Sequence, residues 1–404
     1  MNRFSGAACM VLLPVLISTP GIAFYSGEVV AWGRNNWAQC NVPEPNGGFV
    51  EVAAGQAHSL GLRADGSIVA WGRNDFGQCN VPAPNTGFVA VAAGMFHSIG
   101  LRETGVIVAW GDNGYGQCNV PYPNNGYTAV AAGWSHTLGL KADGSVVGWG
   151  ENYYGQCTAP APNLGFVSVT AGYDHGAGLK ADGTIVAWGR NEYGQCNIAA
   201  PNQGYIAVEA GAQHSLGLRD DGSVAAWGRN DSGQCNVTVP NVDFVDIAGG
   251  SWHSLGLKSF GSIVVWGSNV YNMHTVPSPN EGFVRLAGGE YHCLGVKGFT
   301  SIENEAFTEL HPAALSINGI SPSPVRSTAT VAYSSPGVSS LRLEVYDITG
   351  RLVDGKELGE SPEGEHLIMW DGSGSSGYDL ASGIYILSIS GQGQQASARM
   401  VLLR

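Results

Sequence analysis

Histidine recurs along this chain at a fixed interval, which raises the question of metal binding or proton transfer. Seven copies lie 39 residues apart, at His58, His97, His136, His175, His214, His253 and His292. Imidazole is a common metal ligand and titrates near neutral pH. A residue needed once in every repeat is, however, more typical of packing or hydrogen bonding, since catalysis uses one site rather than seven equal ones. We therefore predict a structural role for all seven, with no catalytic residue, no metal and no cofactor.

Tryptophan and cysteine follow the same interval. The tryptophans, each followed by glycine, are predicted to pack between neighbouring repeats. They are Trp32, Trp71, Trp110, Trp149, Trp188, Trp227 and Trp266. Six cysteines share the step, and equivalent places in different repeats are expected to lie too far apart for a bridge. Cys293 differs because it replaces the serine of a His-Ser pair, and we hypothesise a disulfide between Cys40 and Cys293 that joins the two ends of the repeat region.

The repeated unit consists of alternating apolar segments separated by turns. In the unit that begins at Phe88, Phe-Val-Ala-Val-Ala-Ala-Gly is followed by His-Ser-Ile-Gly-Leu-Arg and then by Val-Ile-Val-Ala-Trp-Gly. Most other units place Asp-Gly between the last two segments, a dipeptide typical of tight hairpins because both central residues take positive φ. Each unit is predicted to form about four short antiparallel strands that stack on the neighbouring units.

The phase of the repeats favours a closed ring. The repeat region starts in mid-unit, at Val29, and stops in mid-unit, after Lys297, so that the two half units together complete one. We predict an all-β chain in which residues 24–298 form a seven-bladed β-propeller, within the usual four to eight blades. A solenoid is the alternative, but it would need polar capping repeats, and the sequence has none that we recognise.

The positions that vary between repeats are the candidates for binding. The two residues before each histidine lie in a loop, and five of the seven pairs contain an aromatic residue, namely Phe96, Trp134, Tyr173, Trp252 and Tyr291. Because loops at one end of a propeller share a face, these side chains are predicted to ring the channel mouth and to anchor a ligand; packing between blades is the alternative. A second aromatic series follows Trp-Gly, and its regularity predicts a structural role. It comprises Trp37, Phe76, Tyr115, Tyr154, Tyr193 and Tyr271.

The C-terminal part of the chain has a different organisation. The 39-residue period stops at Phe299, and residues 299–317 are predicted to form a linker. Residues 318–404 contain alternating apolar segments between Gly-rich and Asp-rich turns. About seven short strands in a segment of this length indicate a small immunoglobulin-like β-sandwich.

The N-terminus and the composition bear on localisation and partners. Residues 1–23 have an early arginine, a short apolar run and small residues before Phe24, which predicts a cleaved signal peptide. The chain of 404 residues carries a net charge of −13, which disfavours a nucleic-acid partner. We expect a protein that is secreted or held at the outer membrane or cell surface.

Both parts resemble known families. The Gly-x-x-His-Ser, Asp-Gly and Trp-Gly-x-Asn-x-x-Gly-Gln elements of residues 27–297 resemble the repeats of the regulator of chromosome condensation family, and the region is similar in extent to secreted bacterial β-lactamase-inhibitor propellers of that class. In those inhibitors the matching loop positions are aromatic and form the binding face, which implies the same role for the five aromatic residues before the histidines.

The C-terminal motifs Pro324-Val-Arg, Trp370-Asp-Gly and Ala381-Ser-Gly-Ile-Tyr resemble the sorting domain of type IX secreted proteins (T9SS type A) and the immunoglobulin-like domain of flagellar hook-capping proteins. That resemblance implies export through type IX-like secretion machinery and surface attachment.

Taken together, these features predict a monomeric, exported, non-enzymatic protein that presents a propeller loop face to a protein or glycan. Two alternatives stay open. The first is a proteinaceous inhibitor of a secreted or periplasmic enzyme. The second is a propeller hydrolase or lyase with a site at the channel mouth, for which an acid present in one repeat only, Asp174 or Glu290, would be the candidate.

Overall fold

A computed structural model of the chain describes residues 26–259, 261–298, 315–321, 329–347, 351–374, 380, 383–391 and 394–402. The predicted signal peptide at 1–23 and most of the predicted linker at 299–317 lie outside the described residues. The described residues belong to two compact units, one before and one after that linker. Their regular structure consists of β-strands, and no helix among them has the length and apolar character that a membrane crossing requires.

The first unit contains seven blades of three antiparallel strands, which confirms the predicted propeller. The inner strands are β2 (Phe49–Ala54), β5 (Phe88–Ala93), β8 (Tyr127–Ala132), β11 (Phe166–Ala171), β14 (Tyr205–Ala210), β17 (Phe244–Gly249) and β20 (Phe283–Gly288). The middle strands are β3 (His58–Arg63), β6 (His97–Arg102), β9 (His136–Lys141), β12 (His175–Lys180), β15 (His214–Arg219), β18 (His253–Lys258) and β21 (His292–Gly298). The outer strands are β4 (Ile68–Gly72), β7 (Ile107–Gly111), β10 (Val146–Gly150), β13 (Ile185–Gly189), β16 (Val224–Gly228), β19 (Ile263–Gly267) and β1 (Gly27–Gly33).

The two ends of the propeller meet in one blade, as predicted from the phase of the repeats. Strand β1, from the N-terminal end, pairs with β21, from the C-terminal end, in an unbroken antiparallel register from Gly27 opposite Gly298 to Gly33 opposite His292. We number the blades 1 to 7 in chain order of their inner strands, so blade 7 consists of β20, β21 and β1. The pairing closes the ring.

Each blade has three strands rather than the predicted four. The segment that follows the outer strand, Gly-Gln-Cys-Asn in most blades, does not pair with another strand. Side chains accept hydrogen bonds from backbone amides of this segment and of the residue before it. In blade 1 the amide of Cys79 donates to Asn74 Oδ1 at 2.8 Å, and the amide of Phe76 donates to Gln78 Oε1 at 2.9 Å. Such local side-chain bonds compete with strand pairing.

The core of the propeller lies between successive blades. Leu60 and Ile68 of blade 1, for example, pack with Phe88 and Trp110 of blade 2 in one buried cluster. The glycine of the His-Ser-Ile-Gly segment is required by this packing, because a Cβ on Gly100 would stand 2.5 Å from the Phe88 ring. Burial of apolar surface against the next blade is what an isolated blade lacks, so stability depends on the whole ring.

The second unit is a five-stranded antiparallel sheet in the described residues. Its strands are β22 (Ser316–Ser321), β23 (Ala329–Asp347), β24 (Leu352–Trp370), β25 (Gly383–Gly391) and β26 (Gln394–Leu402), in the order β22-β23-β25-β26 with β24 beside β23. The described residues contain five strands rather than the predicted seven, because β23 and β24 are long, with 19 residues each, and β23 continues through bulges near its middle. Val331 and Val345, from the two halves of β23, belong to the same hydrophobic core as Leu387.

Candidate functional site

The seven repeated histidines are buried and connect neighbouring blades. Each histidine is the first residue of a middle strand. In six cases its Nε2 atom lies next to a side chain of the following blade, namely that of the second residue of the middle strand there. The pairs are His58 with Ser98, His97 with Thr137, His175 with Ser215, His214 with Ser254, His253 with Cys293 and His292 with Ser59, at 2.9 to 3.2 Å. Burial lowers the pKa of all seven imidazoles to about 3 or 4, so they are neutral at pH 7.

This arrangement suits hydrogen bonding between blades rather than metal binding. The described residues contain no group of three or more His, Cys, Asp or Glu side chains placed to hold a metal ion. His136 is the exception to the pairing, because blade 4 has Gly176 where the other blades have a hydroxyl or thiol, and its Nε2 has no hydrogen-bond partner in the described part of the chain.

The repeated tryptophans also join neighbouring blades. Each indole N–H donates to a main-chain carbonyl in the loop that leaves the preceding blade, as Trp71 does to Gln39 O at 2.8 Å and Trp110 does to Gln78 O at 2.8 Å. The serine hydroxyl of the His-Ser pair donates to the same carbonyl, Ser98 to Gln78 O at 2.8 Å. In five of the seven blades, this carbonyl therefore accepts two buried hydrogen bonds.

The hypothesised disulfide between Cys40 and Cys293 is not formed, and both residues are free thiols. Cys40 Sγ donates to Arg34 O at 3.3 Å, in the same way as the other five motif cysteines, whereas Cys293 Sγ lies 3.2 Å from His253 Nε2 and takes the place of the serine hydroxyl. Burial raises the pKa of the Cys40 thiol to about 12. The prediction was wrong because Cys293 already has a structural partner in the chain of histidine contacts.

Both aromatic series lie at the same end of the propeller. The loop before each histidine joins the inner strand to the middle strand, and the outer strand runs antiparallel and ends opposite that histidine, as Gly72 does opposite His58. A main-chain bond fixes the contact, with the amide of Arg73 donating to Ala57 O at 2.8 Å and equivalents in the other blades. We call this end of the propeller the loop face.

The five aromatic residues predicted to ring the channel mouth divide into two groups, and all are half-buried. Trp134 and Tyr173 line the central cavity, with ring centroids 3.9 Å apart in an edge-to-face contact. The Tyr173 hydroxyl reaches across blade 5 to Ser251 Oγ at 2.7 Å. Phe96, Trp252 and Tyr291 do not line the cavity but lie further out on the loop face. Phe96 and Tyr291 contact rings of the second aromatic series directly, whereas Trp252 shares Arg229 with Tyr193 of that series.

The second aromatic series, predicted to be structural, forms the exposed part of the loop face. Its six members are each between 37% and 61% exposed. Phe76 stacks on Phe96 with centroids 4.8 Å apart, and Tyr271 meets Tyr291 at 5.2 Å. The second series is therefore more accessible than the first, which it partly covers.

Arginine side chains hold these aromatic rings together. Arg73 lies between Trp37 and Phe96, with its guanidinium carbon 4.7 and 4.8 Å from the two ring centroids. Arg229 lies between Tyr193 and Trp252 at 4.7 and 4.5 Å. Arg34 and Arg190 make similar contacts, with Tyr271 and Tyr291 in one case and Tyr154 in the other. We call this set the arginine–aromatic rim; it consists of Arg34, Trp37, Arg73, Phe76, Phe96, Tyr154, Arg190, Tyr193, Arg229, Trp252, Tyr271 and Tyr291.

Carboxylates neutralise the arginines of the rim. Arg73 Nε lies 2.7 Å from Asp75, and Arg229 Nε lies 2.6 Å from Asp231. The two acids predicted as candidates for an enzyme belong to the same pattern. Asp174 pairs with Arg190 at 3.1 Å, and Glu290 pairs with Arg34 at 3.6 Å. Burial raises the pKa of Glu290 above its ordinary value, and the cation of Arg34 opposes that shift.

The central cavity contains a polar stripe that sequence reasoning missed. The cavity has a volume of about 930 Å³ and is lined mainly by the inner strands. Five successive blades contribute polar side chains, Thr170, Glu209, Asp246, Arg285 and Glu51. Blades 2 and 3 contribute alanines instead, including Ala92, Ala129 and Ala131. Comparison of the repeats could have revealed the stripe, because Glu209 occupies a position that is alanine in five of the seven blades.

The acids of the stripe have raised pKa values. Burial raises the pKa of Glu51 to about 7, although the nearby Arg285 lowers it in part. Burial and the neighbouring Asp246 raise the pKa of Glu209 to about 8, while Thr170, whose hydroxyl lies 3.3 Å from Glu209 Oε2, has the opposite effect. The stripe therefore holds a carboxyl group that is largely protonated at neutral pH next to a second carboxyl.

Comparison with known families identifies both parts of the chain. The profile of the regulator of chromosome condensation (RCC1) repeat matches five segments, residues 49–78, 88–117, 127–156, 166–195 and 205–234. The profile of the FlgD Ig-like domain matches residues 323–395. A search of curated protein sequences finds no significant match.

Solved structures share the propeller fold. Prp20p from Saccharomyces cerevisiae, described with its binding properties to Gsp1p and histones, is 19% identical over 68% of this chain and 92% of that chain, with a TM-score of 0.59. Human WBSCR16 is 18% identical over 68% and 99% of the two chains, with a TM-score of 0.54. The ectodomain of the Physcomitrella patens receptor kinase CR4 is 25% identical over 61% and 69%, with a TM-score of 0.53.

Proposed function

We propose that this RCC1-type propeller protein with a FlgD Ig-like C-terminal domain is an exported, non-enzymatic protein that captures a protein partner on its arginine–aromatic rim. The observation that carries the proposal is the set of guanidinium groups held between exposed aromatic rings, such as Arg229 between Tyr193 and Trp252. Tryptophan, tyrosine and arginine are the residues that dominate the energy of protein interfaces.

The rim is suited to a partner because its side chains are already ordered. Three of the four arginines are each held by two rings and a carboxylate, and Arg190 is held by one ring and two carboxylates. Little side-chain entropy therefore remains to be lost on association. The exposed rings supply apolar area, and the neutralised arginines and carboxylates supply hydrogen-bonding groups around it. Neighbouring propellers support protein as the partner class, since Prp20p is described with Gsp1p and histones.

An inhibitor of a secreted or periplasmic enzyme is a special case of this proposal, in which the captured protein is an enzyme. A glycan is the alternative ligand, because exposed aromatic rings also stack on sugars. For the C-terminal domain we propose a role in export and surface attachment, on the resemblance to sorting domains. The signal peptide and the location at the cell surface or in the medium belong to the same proposal.

A hydrolase or lyase in the channel is the competing hypothesis. The acids first suggested for it, Asp174 and Glu290, are held in ion pairs with arginines of the rim. Glu209 fits the hypothesis better, because blade 5 alone has a carboxyl group at this position and its pKa is raised, in part by the neighbouring Asp246. We favour binding because the exposed rim, rather than the cavity, presents the larger number of anchor residues.

The test is capture of a partner by the full chain and by matched variants. Immobilised protein is incubated with culture medium of the producing organism, and the retained protein is identified and its dissociation constant measured. Trp37→Ala combined with Phe76→Ala removes two exposed rings of the rim and is expected to weaken binding by about tenfold or more, or at least ~1.4 kcal/mol.

Tyr122→Ala is the matched control. Tyr122 is 97% exposed and precedes Pro123, whose carbonyl contacts Lys141 at the end of β9 opposite to the loop face. The control is expected to bind normally. Equal loss in both variants, or unchanged binding in the rim variant, would show that the partner does not use the rim.

A further inference from the structure

The arginine–aromatic rim is interrupted at blades 2 and 3. Its four arginines directly follow Trp-Gly in blades 1, 4, 5 and 7, and each lies over a ring of the second aromatic series from the preceding blade. Blades 2 and 3 have Asp112 and Glu151 at this position. In blade 3, the ring that an arginine would cover is that of Tyr115. We call the surface formed by Tyr115 and Glu151 the gap in the rim.

Tyr115 differs from the other rings of the second series in its contacts. Phe76 stacks on Phe96, and the remaining four rings lie beneath arginines. Among the residues that the structure describes, no ring and no cation contacts the ring of Tyr115, which at 61% is the most exposed of the six. An exposed aromatic ring on a face where guanidinium groups cover its equivalents indicates a surface that a partner completes.

The backbone places Glu151 and Tyr115 in the same relation as Arg73 and Trp37. The amide of the residue after Trp-Gly donates to the carbonyl of the residue before the histidine, at 2.9 Å for Glu151 and 2.8 Å for Arg73. The amide of the ring residue donates to the glutamine two positions later, at 2.9 Å for Tyr115 and 2.8 Å for Trp37. A guanidinium supplied by another molecule would therefore meet the Tyr115 ring as Arg73 meets the ring of Trp37.

The charge around the gap is suited to a cation. Between residues 112 and 192 the loop face carries four carboxylates, those of Asp112, Glu151, Asp174 and Glu192, and one arginine. That arginine, Arg190, is paired with Asp174 and Glu192. Glu151 forms no ion pair within the described part of the chain, and burial together with the charge of Asp174 raises its pKa. A cation from a partner would relieve this repulsion.

We propose that the protein partner places an arginine side chain in the gap, with its guanidinium over the Tyr115 ring and paired with the Glu151 carboxylate. This inference rests on the proposed function, since it names the group by which a partner on the loop face is recognised. Arginine is expected rather than lysine because a planar guanidinium stacks on an aromatic ring and pairs with a carboxylate at the same time.

Titration of the full chain with acetyl-arginine amide, followed by NMR of the backbone amides, tests the proposal. Acetyl-citrulline amide is the neutral probe of the same shape, and acetyl-lysine amide is the probe with a different cation. We expect concentration-dependent shifts at Tyr115 and Glu151 with the arginine probe, weaker binding of the lysine probe and no binding of the citrulline probe. Absence of shifts at these two residues, or equal binding of either comparison probe, would overturn the proposal.

Matched variants locate the site. Tyr115→Ala combined with Glu151→Gln is expected to weaken binding of acetyl-arginine amide by about fivefold or more, because it removes both the ring and the carboxylate. Tyr122→Ala combined with Glu103→Gln makes the same two changes at exposed positions of the opposite end, and should leave the affinity unchanged. Equal affinity in the gap variant and the unaltered chain would contradict the assignment.

Capture of the protein partner distinguishes this proposal from the proposed function. The gap variant is expected to weaken capture by about fivefold or more, whereas the rim variant Trp37→Ala with Phe76→Ala should bind acetyl-arginine amide normally. If the gap variant captured the partner as well as the unaltered chain and the rim variant did not, the arginine in the gap would be refuted and the proposed function would stand. Normal capture by the rim variant would instead refute the proposed function.

Discussion

Some residues of this propeller stabilise the fold and others are available for binding or chemistry, as His97 and Glu209 show. His97 recurs in every blade and is buried against Thr137 of the next blade, where burial keeps it neutral. Glu209 occurs once, at a position that is alanine in most blades, and faces a cavity. A residue that recurs must satisfy the same local geometry seven times, whereas a residue that departs from the repeat is free to serve a ligand.

The raised pKa of Glu209 predicts a pH-dependent stability. The pKa is about 8 in the folded protein and 4.5 as its ordinary value, and the neighbouring groups of the stripe are Asp246 and Thr170. Below pH 4.5 the carboxyl is protonated in both states and has no effect. Between about pH 4.5 and 8 the unfolded state loses its proton first, so the folded state is progressively penalised.

Glu209→Gln removes that penalty, so it is expected to raise the Tm by several degrees at pH 8.5 and by little at pH 4.5. About 1 kcal/mol shifts the Tm of a domain this large by roughly 2–4 °C. Thermal unfolding at the two pH values, with the exposed acid Glu103→Gln as the control, measures the effect. A Tm difference that does not change with pH would show that Glu209 ionises normally.

At the scale of elements, the sequence predicted the strands, in which apolar residues alternate. It did not predict the hydrogen bonds that side chains make to the backbone between those strands. Three strands per blade were evident from the segments around Phe88, His97 and Trp110. The expected fourth strand failed because Asn74 and Gln78 bind the backbone amides that a strand would have used. The exposure of Trp37 and its series could not be predicted either, because regular spacing describes packed and surface residues equally well.

The pairing of β1 with β21, which closes the ring, leads to a prediction about stability. Val29 is buried in β1 opposite Val296 of β21, at the pairing that joins the two chain ends. Val29→Asp puts a charge into that buried position and is expected to cost about 3 kcal/mol or more, because an unpaired buried carboxylate has no compensating partner. Glu28→Ala, on the exposed side of the same strand, is the control and should change stability by about 0.5 kcal/mol or less.

Urea unfolding followed by tryptophan fluorescence measures both variants. If Val29→Asp unfolded at the same urea concentration as the unaltered chain, the pairing of β1 with β21 would not contribute to stability. A loss of similar size in both variants would point to a general effect of mutating β1 rather than to closure of the ring.

At the scale of the whole propeller, the two ends of the ring differ in chemistry. The loop face carries the arginine–aromatic rim, whereas the opposite end carries the turns between the middle and outer strands, such as Asp65-Gly66. The loop face was predictable from the variation in the loops, since Phe96 and Trp252 did prove to lie there. The role of arginine was not predictable, because Arg73 follows Trp-Gly in sequence and meets Phe96 only through the pairing of strands and the packing of adjacent blades.

The rim as the partner-binding surface is the central claim, and hydrogen exchange of the full chain with and without its captured protein partner tests it most directly. The account predicts slower amide exchange on binding in residues 34–39, 73–78, 190–195 and 229–234, which carry the rim, and unchanged exchange in the turns at 63–67 and 141–145 at the opposite end. Protection confined to those turns, with the rim segments unchanged, would contradict it.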